Sequence, residues 1–173
     1  AGLPATYTEN EEEATSLDIT LHDSVMDTDL VLTYSVYEDY PVVTRSARLV
    51  QKGDQKIRLE NVMSAAVEFP DMDYEMIHLS GAWARERYVK TRKLEMGIQA
   101  VQSLAGTGSS SEQNPFIALK RPHTTEDTGE VFGFSFVYSG NFLAQVEVST
   151  YEMTRVMMGI NPQGFSWELS RDE

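Results

Sequence analysis

Several groups of residues in the sequence have types and spacing that bear on chemistry. Asp71, Asp73 and Glu75 in the run DMDYE alternate as calcium-loop ligands do. Such a loop needs a Gly for its sharp turn, and Met76 stands there, so the run is expected to be a solvated loop between strands. His22, His78 and His123 lie far apart, with no second His at helical ligand spacing. They are expected to be structural or exposed rather than catalytic or metal-binding. Ser109, Ser110 and Ser111 have no neighbouring His and no G-x-S-x-G elbow, which rejects serine hydrolase chemistry. Neither phosphate-loop pattern, G-x-x-x-x-G-K-S/T or G-x-G-x-x-G, is present.

Two groups remain. Arg85, Arg87, Lys90, Arg92 and Lys93 form a basic cluster interleaved with Glu86 and Glu95, which reads as a charged strand face or an interface with an acidic partner. Trp83 follows Ser80-Gly81-Ala82, and Trp167 follows Gly164-Phe165-Ser166. An aromatic plane stacks on the apolar C–H face of a sugar ring, so a Trp beside a Gly-containing turn suits a carbohydrate contact. A Trp is also highly buried on average, and the residue types alone leave core and contact open.

The elements that would position these groups show period-two alternation rather than helical spacing. Leu17, Ile19 and Leu21 alternate with Asp18, Thr20 and His22, a loop spans 23–29, and Leu30, Leu32, Tyr34 and Val36 share a face, predicting a hairpin. After Pro41 a strand over 42–50 leads through the QKGDQ turn at 51–55 to Ile57 and Leu59, predicting a second hairpin. Phe132, Phe134, Phe136 and Tyr138, a turn at Ser139-Gly140-Asn141, and Phe142, Ala144, Val146 and Val148 predict a third. Phe165, Trp167 and Leu169 alternate after Asn161-Pro162-Gln163-Gly164. Residues 82–96 read mostly as strand, and 106–115 and 121–130 as polar loops. The fold class is therefore all-β, many antiparallel strands in a sandwich with little helix.

Composition sets bounds on function. The chain has 173 residues, 27 acidic against 14 basic, a net charge of -13 and a sequence pI of 4.6. That excess repels phosphate backbones and anionic membranes, so neither nucleic acid nor membrane is an expected partner. With 41% hydrophobic residues the chain can bury a core, and with no cysteine it has neither disulfides nor a thiolate zinc site. No cofactor is expected. The opening AGLPATYTENEEEA lacks a signal-peptide pattern, no apolar run approaches a membrane span and no Asn-x-Ser/Thr sequon occurs, from which a cytoplasmic location is expected.

Four blocks in order, LSGAWARERYV, NPFIAL, TTEDTGEVFGFSFVYSGNF and GINPQGFSWEL, resemble the N-terminal domain of the retaining bacterial α-galactosidases of glycoside hydrolase family 36. The resemblance runs over almost the whole chain, from Gly2 to Trp167 and beyond. Two departures occur in the serine loop, where Ala105 replaces an Arg that usually precedes the Gly and a Ser replaces a His.

The resemblance implies a β-supersandwich related to the galactose mutarotases, followed in the family by a catalytic (β/α)8 barrel and a small C-terminal β domain. It implies hydrolysis of terminal α-galactosides, such as melibiose and raffinose, with retention through two carboxylates. Those carboxylates belong to the barrel, and the Lys-Trp-Asp run of the nucleophile strand is absent here. Residues 1–173 are therefore expected to be a single truncated N-terminal domain with no catalytic residue of its own. Its implied partners are the downstream barrel, the galactoside and, because the family is commonly tetrameric, other copies of itself.

Trp167 matches the Trp of the family's F-x-W block and is the implied sugar contact, while Trp83, Arg85 and Arg87 match the SGAWARER block, with structural or interface roles. Two alternatives remain: an independent lectin-like module, and a mutarotase-like enzyme. The second would need a His paired with a carboxylate, and no such pair is evident in the sequence.

Overall fold

The computed structural model describes residues 12–106 and 111–171. Among the described residues there is no helix, and thirteen strands fall into two compact units. Residues 107–110, in the serine segment, and the opening residues 1–11 lie outside the description.

The smaller unit gathers the described residues up to Glu60 and those from Ser166 on. Its sheet is a meander of β1 (Ala14–Asp23), β2 (Thr28–Tyr37) and β3 (Val43–Gln51). Leu17, Ile19 and Leu21 lie opposite Tyr34, Leu32 and Leu30, so the alternation seen in the sequence becomes one apolar face. The β1–β2 turn is built by Asp23, whose Oδ1 accepts the backbone N–H of Val25 (2.8 Å) and of Met26 (3.2 Å). β4 (Ile57–Leu59) pairs with β13 (Trp167–Leu169) in a separate two-stranded ribbon.

That ribbon corrects the predicted second hairpin. The full length of β3 is already paired with β2, and the N–H groups of Lys52 and Gly53 both go to the Asp27 carbonyl. The Gly-Asp segment thus folds back onto the β1–β2 turn, and the three residues of β4 find their partner more than a hundred positions away. Phe165 lies outside β13, so the last predicted alternation is shorter than its pattern.

The larger unit, Asn61–Phe165, is a sandwich. One sheet has β6 (Glu75–Ala82), β7 (Arg85–Lys93), β9 (Gln113–Lys120) and β10 (Val131–Ser135) in the order β10-β9-β6-β7. The other has β5 (Ala65–Phe69), β8 (Gly97–Ser103), β11 (Phe142–Val148) and β12 (Thr154–Ile160) in the order β5-β12-β11-β8. Met76, Ile117 and Leu119 from the first meet Val101, Phe142, Ala144, Val146, Val156 and Met158 from the second in one buried core. Each fully buried Val, Leu, Ile, Met or Phe side chain there contributes roughly 1.5–3 kcal/mol. Phe69 joins the layers at one end, its ring 4.9 Å from Phe132 and 5.3 Å from Tyr74.

The predicted third hairpin is also corrected. β10 pairs with β9 and β11 pairs with β8 and β12, so the chain crosses from one sheet to the other between them. Alternation identifies the face that a strand buries, and both strands bury a face in this core from opposite sides. β7 confirms the strand expected within 82–96, and the loop expected at 121–130 is present. The loop expected at 106–115 is shorter, because β9 already starts at Gln113.

Gly159 shows how closely the chain is threaded. A Cβ there would lie 2.3 Å from the Val62 carbonyl oxygen and 2.6 Å from Met63 Cα, backbone that cannot swing aside, while Ile160 N–H donates to that same carbonyl at 3.1 Å. Gly159→Ala is expected to destabilise the chain by about 1–3 kcal/mol through overpacking, read as a lower urea midpoint. An unchanged midpoint would show that the 62–64 segment yields.

Candidate functional site

Trp83, Arg85 and Arg87 are brought together at the β6–β7 hairpin. Ala82 lies opposite Arg85, leaving Trp83 and Ala84 as a two-residue turn in which Ala84 takes φ +61°. Glu86 and Arg87 then share the space opposite Gly81, a β-bulge with Arg87 at φ +62°. Gly81 is required there because a Cβ would lie 2.4 Å from the Arg85 carbonyl oxygen. The consequence is a Trp83 ring that is 86% exposed at a hairpin tip, followed along β7 by Arg85, Arg87, Lys90, Arg92 and Lys93. β7 is the edge of its sheet, and every residue in it is exposed.

Trp167 belongs to the smaller unit. It stands opposite Leu59 in the β4–β13 ribbon and is 59% exposed. An ion pair between Lys56 and Glu168 at 2.5 Å, and another between Arg171 and Asp54, tie the two strands of that ribbon and its flanks. In the same unit Leu59 and Ile57 line a groove of about 370 Å³ with Leu21, Leu30, Leu49 and Met26. Neither indole carries an ionisable group, so each Trp can contact and position a ligand but cannot transfer a proton at neutral pH.

At the groove rim the structure forms a pair that the sequence reading missed. His22 Nδ1 lies 2.8 Å from Asp29 Oδ1, and Lys52 holds the other Asp29 oxygen. The Lys52 hydrogen bond, reinforced by His22, keeps the Asp29 carboxyl below its ordinary range. His22 and Asp29 face one another in the β1–β2 register, so folding the predicted first hairpin residue by residue would have found them. With its carboxylate shared by Lys52, the pair anchors the β1–β2 and β3–β4 turns.

The remaining sequence candidates are structural. Asp71 takes both Nη groups of Arg121, at 2.6 and 3.2 Å, and its Oδ1 also accepts the Asp73 N–H at 2.9 Å. Arg121 reaches Glu130 at 3.0 Å and lies 3.9 Å over the Tyr74 ring, while Glu75 is paired with Lys120 at 2.6 Å. The DMDYE run is thus a clamp joining the start of β6 to the end of β9. Among the described residues no group of three His, Cys, Asp or Glu has a metal-holding arrangement. His123 is exposed, and Ser109 and Ser110 lie outside the described residues.

Residues 1–170 match the family described as glycosyl hydrolase family 36 N-terminal domain. The chain is 51% identical to the α-galactosidase AgaA of Geobacillus stearothermophilus over 172 residues, 99% of this chain and 24% of that protein. It is 43% identical to α-galactosidase 1 of Pediococcus pentosaceus, covering 98% of this chain and 23% of that protein. The crystal structure of AgaA superimposes with a TM-score of 0.95 over 99% of this chain and 24% of its own, and a variant of AgaA solved with raffinose matches equally. The chain therefore spans about a quarter of the length of these curated relatives.

His78 yields a measurable consequence. It is 3% exposed on β6, and neither ring nitrogen has a hydrogen-bond partner of normal geometry. Burial, with help from the positive charges of Arg92 and Lys90, lowers its pKa below the ordinary 6.5. The unfolded chain therefore binds the extra proton first, and stability present above pH 6.5 falls as pH drops toward the folded value. Unfolding midpoints measured from about pH 7.5 to about pH 5 should fall less in His78→Leu than in the parent. Equal slopes would contradict a buried neutral imidazole.

Proposed function

The chain belongs to the N-terminal domain family of glycosyl hydrolase family 36, and from that premise we propose that it is the non-catalytic β-sandwich part of a retaining α-galactosidase. In this reading it shapes the galactose pocket and supports assembly of the oligomer. The observation that carries it is Trp167, a large aromatic ring left exposed on a short ribbon whose strands are tied by ion pairs. Bond cleavage in terminal α-galactosides, raffinose and melibiose among them, falls to a nucleophile and an acid/base carboxylate on a separate barrel. Trp167 places its apolar face against the sugar, and that contact acts on positioning rather than on proton transfer. The name and raffinose complex of AgaA support the substrate class.

The β6–β7 hairpin takes the second role. Trp83 at its tip, with Arg85 and Arg87 beside it, offers an apolar anchor ringed by cations, the composition enriched at the centres of protein interfaces. A second copy of a chain with net charge -13 supplies the acidic surface that such a hairpin fits.

Hydrolysis of a chromogenic α-galactoside by the full-length enzyme and by the 173-residue chain alone tests the first role. The short chain should be inactive, and Trp167→Ala in the full-length enzyme should lower kcat/KM about tenfold, equivalent to about 1.4 kcal/mol. Activity in the short chain would place the catalytic groups within it and overturn the reading. For the second role, Trp83→Ala combined with Arg87→Glu should lower the light-scattering mass of the full-length enzyme. An unchanged mass would remove the hairpin from the interface.

A further inference from the structure

The outer face of the β5-β12-β11-β8 sheet carries a row of charges that takes no part in the sites described so far. Glu68 on β5, Arg155 on β12 and Glu147 on β11 stand directly opposite one another across three strands. Arg155 gives its Nε (2.8 Å) and its Nη2 (2.5 Å) to one oxygen of Glu68. Among the described residues Glu147 has no ion pair.

Beside the row, the β11–β12 turn is firmly built. Ser149 Oγ accepts the N–H of Tyr151 at 3.2 Å and of Met153 at 3.3 Å, and Ser149 N–H donates to the Met153 carbonyl at 2.9 Å. This turn holds the Tyr151 ring 85% exposed, and Tyr151, Met153 and the charged row enclose a depression of about 230 Å³.

These groups share one recognition chemistry. A tyrosine ring offers a flat apolar face to the C–H side of a pyranose, a carboxylate accepts from two neighbouring hydroxyls, and a guanidinium N–H donates to a hydroxyl oxygen. The volume falls below the roughly 300 Å³ at which pockets for drug-sized ligands begin, room for one ring rather than an oligosaccharide. Glu68, Glu147 and Glu152 outnumber Arg155, so the local field disfavours phosphate and carboxylate ligands and leaves neutral sugars.

We propose that the depression bounded by Tyr151, Glu147 and the Arg155–Glu68 pair is a surface site for a single hexopyranosyl unit of a neutral saccharide. The choice of an α-galactoside as the unit rests on the reading of the chain as part of an α-galactosidase. All of its lining residues come from the larger unit, so Trp167 has no part in it.

The 173-residue chain, titrated with methyl α-galactoside and followed through its backbone amide shifts, tests the site. Saturable shifts are expected around Ser149–Arg155, with a Kd on the order of 1 mM. Tyr151→Ala should weaken binding about tenfold and Tyr151→Phe less than about twofold, since the ring face and not the hydroxyl makes the contact. Glu147→Gln should weaken it severalfold, Trp167→Ala should leave it unchanged, and galacturonate should bind more weakly than the neutral sugar. Tyr151 is so exposed that its variants should keep the parent melting temperature, which checks that a loss is local.

Absence of saturable shifts in this segment overturns the site. So does binding that survives Tyr151→Ala, that is abolished by Trp167→Ala, or that is equally strong for galacturonate. The role of Trp167 in hydrolysis is read separately, in the full-length enzyme, so failure of the surface site leaves that reading standing.

Discussion

The apolar layer between the two four-stranded sheets is the constraint from which the rest of the larger unit follows. Phe142, Ala144, Val146 and Val148 fill one side of that layer at every second position, and this leaves Leu143, Gln145 and Glu147 on the outer side. The charged row on the outer face is therefore a by-product of the core register. Two of the buried polar side chains hold neighbouring backbone. Thr154 Oγ1 donates to the Asp71 carbonyl at 2.8 Å, and Asn161 Nδ2 donates to the Phe142 carbonyl at 3.3 Å. The Asp71–Arg121–Tyr74 clamp does the same from outside, fixing the entry to β6 against the exit from β9.

Strands were legible in the sequence far more readily than their partners. Period two reports the face that a strand buries, which is decided locally by burial, whereas a partner is decided by which edge still has free N–H and C=O groups. The runs at 43–51 and 57–59 follow one another and look like a hairpin, yet the segment after β3 folds back onto the β1–β2 turn and β4 meets β13 instead. The runs at 131–135 and 142–148 likewise lie in different sheets because both need the same core from opposite sides. His22 and Asp29 were within reach, since the register of the first hairpin sets them face to face. The exposure of Trp83 and Trp167 was not, because burial of a single large residue depends on what lies opposite it in three dimensions.

The basic cluster also has a structural reason, independent of the interface role proposed for it. An edge strand presents unpaired backbone to any other chain, and Lys and Arg along it oppose unwanted pairing. β7 is such an edge, and its cations face solvent in a chain of net charge -13. In the proposed interface the same charges that repel another β7 attract an acidic surface, so one strand would serve both ends. The bulge at Arg87 adds to this, because it twists the end of the edge and breaks the regular ladder that another strand would need.

On the proposed reading the two tryptophans act on a reaction through contact and positioning rather than through proton transfer. Each is carried on strands rather than on a long loop: Trp83 at a two-residue turn closed by a bulge, Trp167 on a ribbon held by Lys56–Glu168 and Arg171–Asp54. An aromatic carried on a strand or tight turn loses less backbone freedom when it makes contact, so less of the contact energy goes into ordering. An aromatic on a mobile loop would first have to be ordered, at a cost of about 0.5–1.5 kcal/mol for each immobilised side chain. β4 and β13 come from more than a hundred residues apart, with the folded larger unit between them in sequence. The ribbon leaves an exposed indole, the contact that the role proposed for it in positioning a sugar requires.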